Sequence, residues 1–347
     1  MTAIRPIRFR LTPILLLAFA ASSPGLPLPQ ELHGRWLLDF DRSDDQVQLT
    51  MKRESPGHHS ESSWGVRPQD LRGLVRPTSA AETPARFELV RDAGTVTFEG
   101  RLDSSGGSGR FRFAPSRDFA AAWEASGRPA LTSEEIYAMA VHDVSRQFIA
   151  DLAALGYRDA PGDELLALRI HGATAAWIRE LQVLGYTRVT LDDLVSFRIH
   201  GVGPEGIRQM QALGYPKLSA DDLVSFRIHG VSPEFVRAMA SLGYERVPGD
   251  DLVAFRIHGV SPEFVRAFRD LGYRHVAAED LVAMRIHDVA PEFVRDLQAL
   301  GYKDVPVDDL VSLRIHGVSL DFVKRTRDRD ANVSIEEIVS RKIHGRR

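Results

Sequence analysis

From residue 131 to the C-terminus, hydrophobic and polar positions recur with a period of 29 residues. The stretch 223–237 (LVSFRIHGVSPEFVR) is repeated almost unchanged at 252–266. A histidine marks each unit. The first seven are 29 residues apart and the last follows after 28: His142, His171, His200, His229, His258, His287, His316 and His344. A fixed period of this length is typical of repeat proteins, in which each unit is one supersecondary element.

Capping residues divide each unit into two short helices. Ser219 followed by Asp222 forms a capping box, which predicts that the first helix begins there. The helix is expected to end at Gly230, because glycine readily adopts the left-handed conformation that closes a helix. Asp143 and Asp288 replace this glycine in two units, and aspartate also tolerates that conformation. The apolar positions assigned to the first helix are Leu223, Val224, Phe226 and Ile228.

The second helix of the unit begins at Ser232 as N-cap, with Pro233 in its first turn. It ends before Gly243 of a recurring Leu-Gly-Tyr motif. Its apolar face is Phe235, Val236, Met239 and Leu242. The apolar arc of the first helix covers about 200°, too wide for one contact. Residues 131–347 are therefore predicted to form an all-α solenoid of about eight stacked helix–turn–helix repeats.

The N-terminal part has a different pattern. Val47, Leu49 and Met51 alternate with polar residues, as in a half-buried strand. Further predicted strands are 86–90, 95–102 and 110–113, with turns at 92–94 and 104–109 and a loop at 78–84. Residues 31–115 are thus expected to form a small antiparallel β domain with Trp36 and Trp64 in its core. A linker helix in 116–130, starting at Asp118, completes an α+β multidomain fold.

The first 22 residues are typical of a signal peptide. Arg5, Arg8 and Arg10 precede an apolar stretch, 11–21, and residues 18–20 (AFA) offer a small-x-small cleavage site. The stretch is shorter than the ~20 residues that span a bilayer. An uncleaved N-terminal anchor is the alternative. The sequence predicts a periplasmic or secreted protein without a transmembrane span in its mature chain.

Charge and composition narrow the possible functions. With 44 basic and 47 acidic residues among 347, the chain carries a net charge of −3, which argues against nucleic acid as a partner. There are no cysteines, so thiolate nucleophiles and cysteine zinc sites are absent from the sequence. No nucleophile elbow, phosphate loop or dinucleotide fingerprint occurs. The chain is therefore not expected to be an enzyme or to bind a cofactor.

The histidine series is the most distinctive candidate for metal binding or pH sensing. Neighbouring repeats should lie about 8–10 Å apart, whereas two ligands of one zinc lie within about 4 Å of each other. The favoured interpretation is structural: each histidine ends a helix and interacts with its carbonyls and dipole. No metal site is predicted.

Two further series recur in the units. Acidic pairs in the first turn of the first helix suit the positive end of the helix dipole: Asp163-Glu164, Asp192-Asp193, Asp221-Asp222, Asp250-Asp251, Glu279-Asp280 and Asp308-Asp309. A series of arginines is expected to pair with these carboxylates, with a groove for an anionic ligand as the alternative: Arg198, Arg227, Arg256, Arg285 and Arg314.

Residues 87–100 (FELVRDAGTVTFEG) and 107–113 (GSGRFRF), together with the RIHGVSPEFVR units, resemble a known family. They are similar to the extracytoplasmic repeat tail of bacterial membrane metallopeptidases of the β-lactam-sensing antirepressor type. The peptidase part of that family carries a His-Glu-x-x-His helix, and this chain has no such motif. The resemblance implies an extracytoplasmic module without the peptidase part.

The leading hypothesis is a non-catalytic interaction or sensor module that binds a protein or peptide through its solenoid, since solenoids present extended binding surfaces. The alternatives are a nucleic-acid-binding helical repeat protein, a structural cell-envelope protein, and an enzyme within the β domain.

Overall fold

The structure is a computed structural model that describes residues 30–43, 45–55 and 58–345. The chain divides into two compact units, Met1–Arg146 and Gln147–Arg347. The predicted signal peptide lies outside the described residues. The predicted linker helix and the first helix of the predicted repeat domain both belong to the first unit.

The first unit contains one antiparallel sheet. Its seven described strands are β1 (Leu32–Ser43), β2 (Gln46–Ser55), β3 (His58–Val66), β4 (Leu71–Arg72), β5 (Thr83–Arg91), β6 (Gly94–Leu102) and β7 (Gly106–Pro115). Their order across the sheet is β3-β2-β1-β7-β6-β5-β4, and every neighbouring pair is antiparallel. The prediction of a small antiparallel β domain is confirmed.

Trp36 lies at the centre of the sheet's core. Its ring meets Phe87 edge-on at a centroid distance of 5.1 Å, and its Nε1–H donates to the Arg110 carbonyl at 3.1 Å. Phe87 in turn stacks on Phe98 at 4.7 Å. Trp36 is buried as expected, whereas Trp64 is only half-buried.

The prediction of a turn through 104–109 is wrong from residue 106 onwards, because β7 begins at Gly106. These glycines lie in the middle of the sheet, where neighbouring groups come very close. A Cβ atom at Gly109 would lie 2.1 Å from the Glu99 carbonyl oxygen and 2.8 Å from Trp36 Nε1. Glycine here makes room for the tryptophan and does not form a loop.

Two helices follow the sheet among the described residues of the first unit, α1 (Arg117–Ala125) and α2 (Ser133–Val141). Ser116 caps α1 by accepting from the Phe119 amide, so the predicted start at Asp118 is two residues late. The helix α2 packs on β6 and β7. The ring of Tyr137 stacks on Phe111 at 5.9 Å, and buried Arg53 on β2 is bound to Glu134.

Helices are the only regular secondary structure among the described residues of the second unit. Its helices are α3 (Arg146–Ala154), α4 (Gly162–Ile170), α5 (Ala175–Val183), α6 (Leu191–His200), α7 (Pro204–Ala212), α8 (Ala220–His229), α9 (Pro233–Ala240), α10 (Gly249–His258), α11 (Pro262–Asp270), α12 (Ala278–Ile286), α13 (Pro291–Ala299), α14 (Val307–Ile315), α15 (Leu320–Arg329) and α16 (Ile335–Ile343). From α4 to α16, each even-numbered helix packs against the next even-numbered one, and from α5 to α15 the odd-numbered helices do the same. The even-numbered helices α4–α16 are called the first-helix layer below.

The caps inside the repeats are those that the sequence predicts. Gly230 closes α8 with a φ of +71°, and Asp143 and Asp288 take the same conformation with φ of +56° and +55°. Ser219 and Asp222 form both hydrogen bonds of the capping box. The helix boundaries are thus determined by local chemistry that the sequence displays.

Burial confirms the apolar face of the second helix and corrects that of the first. Phe235, Val236, Met239 and Leu242 are all buried. In the first helix, Leu223 and Phe226 are buried and Val224 is half-buried. Ile228 is 54% exposed, so assigning it to the core was wrong. It lies seven residues after exposed Asp221, on the outward side of the helix.

The tyrosine of each Leu-Gly-Tyr motif links its unit to the following one. The Tyr244 hydroxyl donates to the Val276 carbonyl at 2.8 Å, 32 residues later. Equivalent bonds join Tyr157 to Val189, Tyr186 to Leu218, Tyr215 to Val247, Tyr273 to Val305 and Tyr302 to Val333. Burial raises the pKa of Tyr273 to about 12, so this phenol keeps its donor proton even in moderately alkaline solution.

Replacing Tyr244 by phenylalanine tests the contribution of this bond. We expect Tyr244→Phe to lower the free energy of unfolding by about 0.5–1.5 kcal/mol, because a hydrogen bond to the next unit is lost while the ring stays. Urea denaturation followed by circular dichroism measures the loss. Val183→Ser, at a residue that is 82% exposed, is the control and should have little effect. Equal stability of Tyr244→Phe and the wild type would contradict the assignment.

Candidate functional site

The isoleucine of each Arg-Ile-His motif is exposed on the first-helix layer, as is Ile343 of the Lys-Ile-His that replaces the motif in the last unit. Seven such residues in the described part of the second unit have exposed fractions between 50% and 56%: Ile170, Ile199, Ile228, Ile257, Ile286, Ile315 and Ile343. Each occupies the same position in its helix, and successive helices of the layer pack side by side. These residues therefore form a line across the layer, which we call the isoleucine row.

The residues that precede each isoleucine on the same helix face are small. On α8, Val224 and Ser225 precede Ile228 by four and three residues and so share its face. Both are half-buried, as are Val253 and Ala254 on α10. Exposed Asp221 lies at the N-terminal end of the same face. The outward surface thus changes along each helix from acidic to apolar.

Arginines border the isoleucine row on the side of the helix C-termini. We call Arg198, Arg227, Arg256, Arg285 and Arg314 the arginine row. Nε of Arg256 donates to the His229 carbonyl of the preceding unit at 3.4 Å, and its guanidinium lies 5.0 Å from the centre of the Phe235 ring. Arg285 makes the same contacts, with the His258 carbonyl and the Phe264 ring. Arg198, Arg256 and Arg285 thus each close the end of a neighbouring helix and cover an aromatic ring.

The expectation that these arginines pair with carboxylates is wrong for four of them. Among the described residues, the hydrogen bonds of Arg198, Arg227, Arg256 and Arg285 go to the carbonyls of His171, His200, His229 and His258. Arg314 alone in the row pairs with a carboxylate, that of Asp288, which stands where other units have glycine. The replacement of glycine by Asp288 in one unit therefore changes the partner of Arg314 in the next unit.

The histidines of the series lie at helix ends. His200, His229 and His258 are the last residues of α6, α8 and α10, and the others are C-caps: His142, His171, His287, His316 and His344. The His344 ring contacts the Ser340 carbonyl through Nδ1 at 2.8 Å. No group of three or more His, Asp and Glu residues in the described ranges is arranged to hold a metal ion.

The acidic pairs lie in the first turn of their helices, and four of the six contain a carboxyl that is influenced by an acid of the next unit. Burial, and then the charge of Glu279, raises the pKa of Asp251. Glu164, Asp280 and Asp309 show the same direction, with burial first and an acid of the following unit second. Like charges of consecutive units therefore repel one another along the N-terminal edge of the layer, in addition to the favourable dipole interaction.

The described helices include none with both the length and the hydrophobicity required to cross a membrane. No family model matches the chain, and a search of the curated proteins finds no match either.

The sequence pattern could have revealed the isoleucine row. Ile228 follows Asp221 by seven residues, and this spacing puts an apolar and an acidic residue on one face of the helix. The partners of the arginine row have no such signal, because they lie 27 residues earlier in the chain.

Neutralising Asp251 tests the repulsion. A raised folded-state pKa means that the ionised group disfavours folding at neutral pH, and this penalty disappears as the pH falls below that pKa. We expect Asp251→Asn to raise Tm at pH 7. The gain in the free energy of unfolding should be less than about 1 kcal/mol, because the group is partly exposed. The gain should shrink as the pH falls through the raised pKa of the wild-type carboxyl and vanish below its unfolded-state pKa of about 3.9.

Asp222→Asn is the matched comparison for Asp251→Asn. Asp222 accepts from the Ser219 amide in a capping box, whereas α10 has Pro248 at its N-cap and no side-chain cap. We therefore expect Asp222→Asn to lower Tm at pH 7. Differential scanning calorimetry measures both variants, and a lower Tm for Asp251→Asn would contradict the repulsion.

Proposed function

We propose that this chain is a non-catalytic extracytoplasmic interaction or sensor module, which binds a protein or peptide along the isoleucine row. The observation that supports this most directly is the presence of seven half-exposed isoleucines at one repeated position. Single exposed apolar residues need no explanation, but a contiguous apolar surface is typical of a binding site. The resemblance to extracytoplasmic repeat tails of sensor-type metallopeptidases is in keeping with this role.

The energy available from the row is of the right order for a specific contact. Burying the exposed half of one isoleucine contributes about 0.8–1.5 kcal/mol, half the value for a whole side chain. Seven such residues supply about 5–10 kcal/mol, whereas association costs about 4–15 kcal/mol. Apolar burial therefore covers much of the cost, and polar contacts must supply the remainder.

The character of the surface favours a protein over the alternatives. Nucleic acid is held mainly by basic groups on phosphates, and here an exposed acidic series accompanies the arginine row on the same layer. A purely structural envelope protein would have no need of an apolar row facing outward. The proposal includes no catalytic residue, no cofactor and no metal.

The proposed location is the periplasm or the exterior of a bacterial cell, after removal of a signal peptide. We expect the chain purified from its native source to begin after Ala20, at the AFA site. Intact-mass spectrometry measures the N-terminus directly. A mass that includes Met1 would contradict cleavage, and recovery from the cytoplasmic fraction would contradict export.

Three substitutions in the centre of the row test the binding role. We expect Ile199→Ser, Ile228→Ser and Ile257→Ser together to weaken the native partner's affinity at least tenfold, because three apolar contacts are lost at once. The partner is identified by mass spectrometry after capture from an envelope extract by the full chain. It is then purified, and its Kd is measured by titration calorimetry.

The control for this experiment is Val183→Ser, which removes an exposed apolar residue outside the row. It should leave the Kd unchanged. Circular dichroism and Tm verify that the triple variant is folded. If the folded triple variant binds its partner as tightly as the wild type does, the isoleucine row is not the binding surface.

A further inference from the structure

We infer that the partner segment is an extended, acidic peptide in the polyproline II conformation, with an apolar residue at every third position. This inference rests on the proposed function and specifies the ligand of the same surface. It follows from two features of the first-helix layer: the exposed isoleucine at the same position of each helix, and the arginine row beside it.

The spacing of the row selects the conformation of the peptide. Neighbouring packed helices lie about 8–10 Å apart, so the isoleucines of successive units have about that separation. A polyproline II segment has three residues per turn and rises about 3.1 Å per residue, so that every third side chain returns to one face after about 9.3 Å. One turn of the peptide thus corresponds to one repeat of the protein.

Regular strands and helices match the row less well. A strand returns a side chain to one face every second residue, after about 6.6 Å, and every fourth residue, after about 13 Å. An α-helix repeats its face after about 5.4 Å, or after about 10.5 Å for residues seven apart. A helical partner would need seven residues for each repeat of the protein, whereas a polyproline II segment needs three.

The arginine row determines the charge of the peptide. Arg198, Arg227, Arg256 and Arg285 are exposed, and each directly precedes a residue of the isoleucine row. Their hydrogen bonds within the described chain use Nε, so the Nη1 and Nη2 groups can bind carboxylates. The carbonyl and aromatic contacts hold several of these side chains in place, which lowers the entropy lost on binding.

The acidic edge of the layer orients the peptide. Asp192, Asp221 and Asp250 are exposed at the opposite ends of the same helices. Carboxylates of a bound peptide are therefore repelled from that edge and attracted to the arginine row. A triplet of one neutral, one acidic and one apolar residue, in the order Pro-Glu-Leu, satisfies both rows at once.

A synthetic peptide tests the inference with the full chain. The probe is fluorescein-labelled (Pro-Glu-Leu)₆, and its binding is measured by fluorescence anisotropy. The controls are a peptide of the same composition with the leucines out of period, a peptide with leucine at every seventh position in a helix-forming sequence, and (Pro-Lys-Leu)₆. We expect the probe to bind at least tenfold more tightly than each control, and more weakly as the salt concentration rises.

The triple variant Ile199→Ser, Ile228→Ser and Ile257→Ser should reduce the affinity for the probe at least tenfold, whereas Val183→Ser should not change it. Equal binding of the in-period and out-of-period peptides would overturn the inference, as would tighter binding of the heptad or lysine peptide. Row-dependent binding to anionic phosphatidylglycerol vesicles in place of the probe would overturn it in favour of a membrane surface. Row-dependent dimerisation in analytical ultracentrifugation, without probe binding, would overturn it in favour of a second copy.

The outcome also separates this inference from the proposed function. If the native partner needs the isoleucine row but the probe does not bind, only the inference about the peptide fails. If the native partner binds the folded triple variant normally, the proposed surface itself fails.

Discussion

The structure of the helical unit depends on the burial of each repeat's apolar residues against the repeats before and after it. Two helices of about ten residues each are too short to be stable alone in water. Leu252 and Phe255 of one unit are fully buried, and they belong to one continuous core with Phe226 of the preceding unit and Met284 of the following one. Polar contacts also join consecutive units. Each tyrosine of the Leu-Gly-Tyr motifs bonds to the following unit, and each arginine of the arginine row contacts the preceding unit.

This requirement leaves one side of every first helix free. The helix uses its flanks for its neighbours and its inner side for the second helix, so its outer side has no partner within the described repeats. Residues on that outer side are not needed for the core, and a polar surface would be the ordinary outcome. The isoleucine at this position in seven units is therefore a feature that folding alone does not explain.

The sequence predicted the features that depend on neighbouring residues and missed those that depend on distant ones. Caps such as Ser219 and Gly230 act within one turn of helix, so their chemistry is visible in a short segment. The first residues of the strand Gly106–Pro115 were predicted as a turn, because the close approach of Leu38, Glu99 and Trp36 that requires glycine there involves residues far away in the chain. The prediction of partners for the arginine row was wrong for the same reason. A nearby carboxylate is visible in the sequence, whereas a carbonyl 27 residues earlier is not.

Nearly identical repeats create a problem of register for a linear partner, because shifting the partner by one unit restores almost every contact. Two local departures break this equivalence. Gly206 takes the place of the aromatic residue that Arg256 and Arg285 cover in other units, so Arg227 has no ring at that position. Asp288 binds Arg314 and competes with any incoming carboxylate there. An acidic segment would therefore meet a stretch of available arginines that ends before Arg314. This difference distinguishes the two ends of the row, which the repeat pattern alone does not.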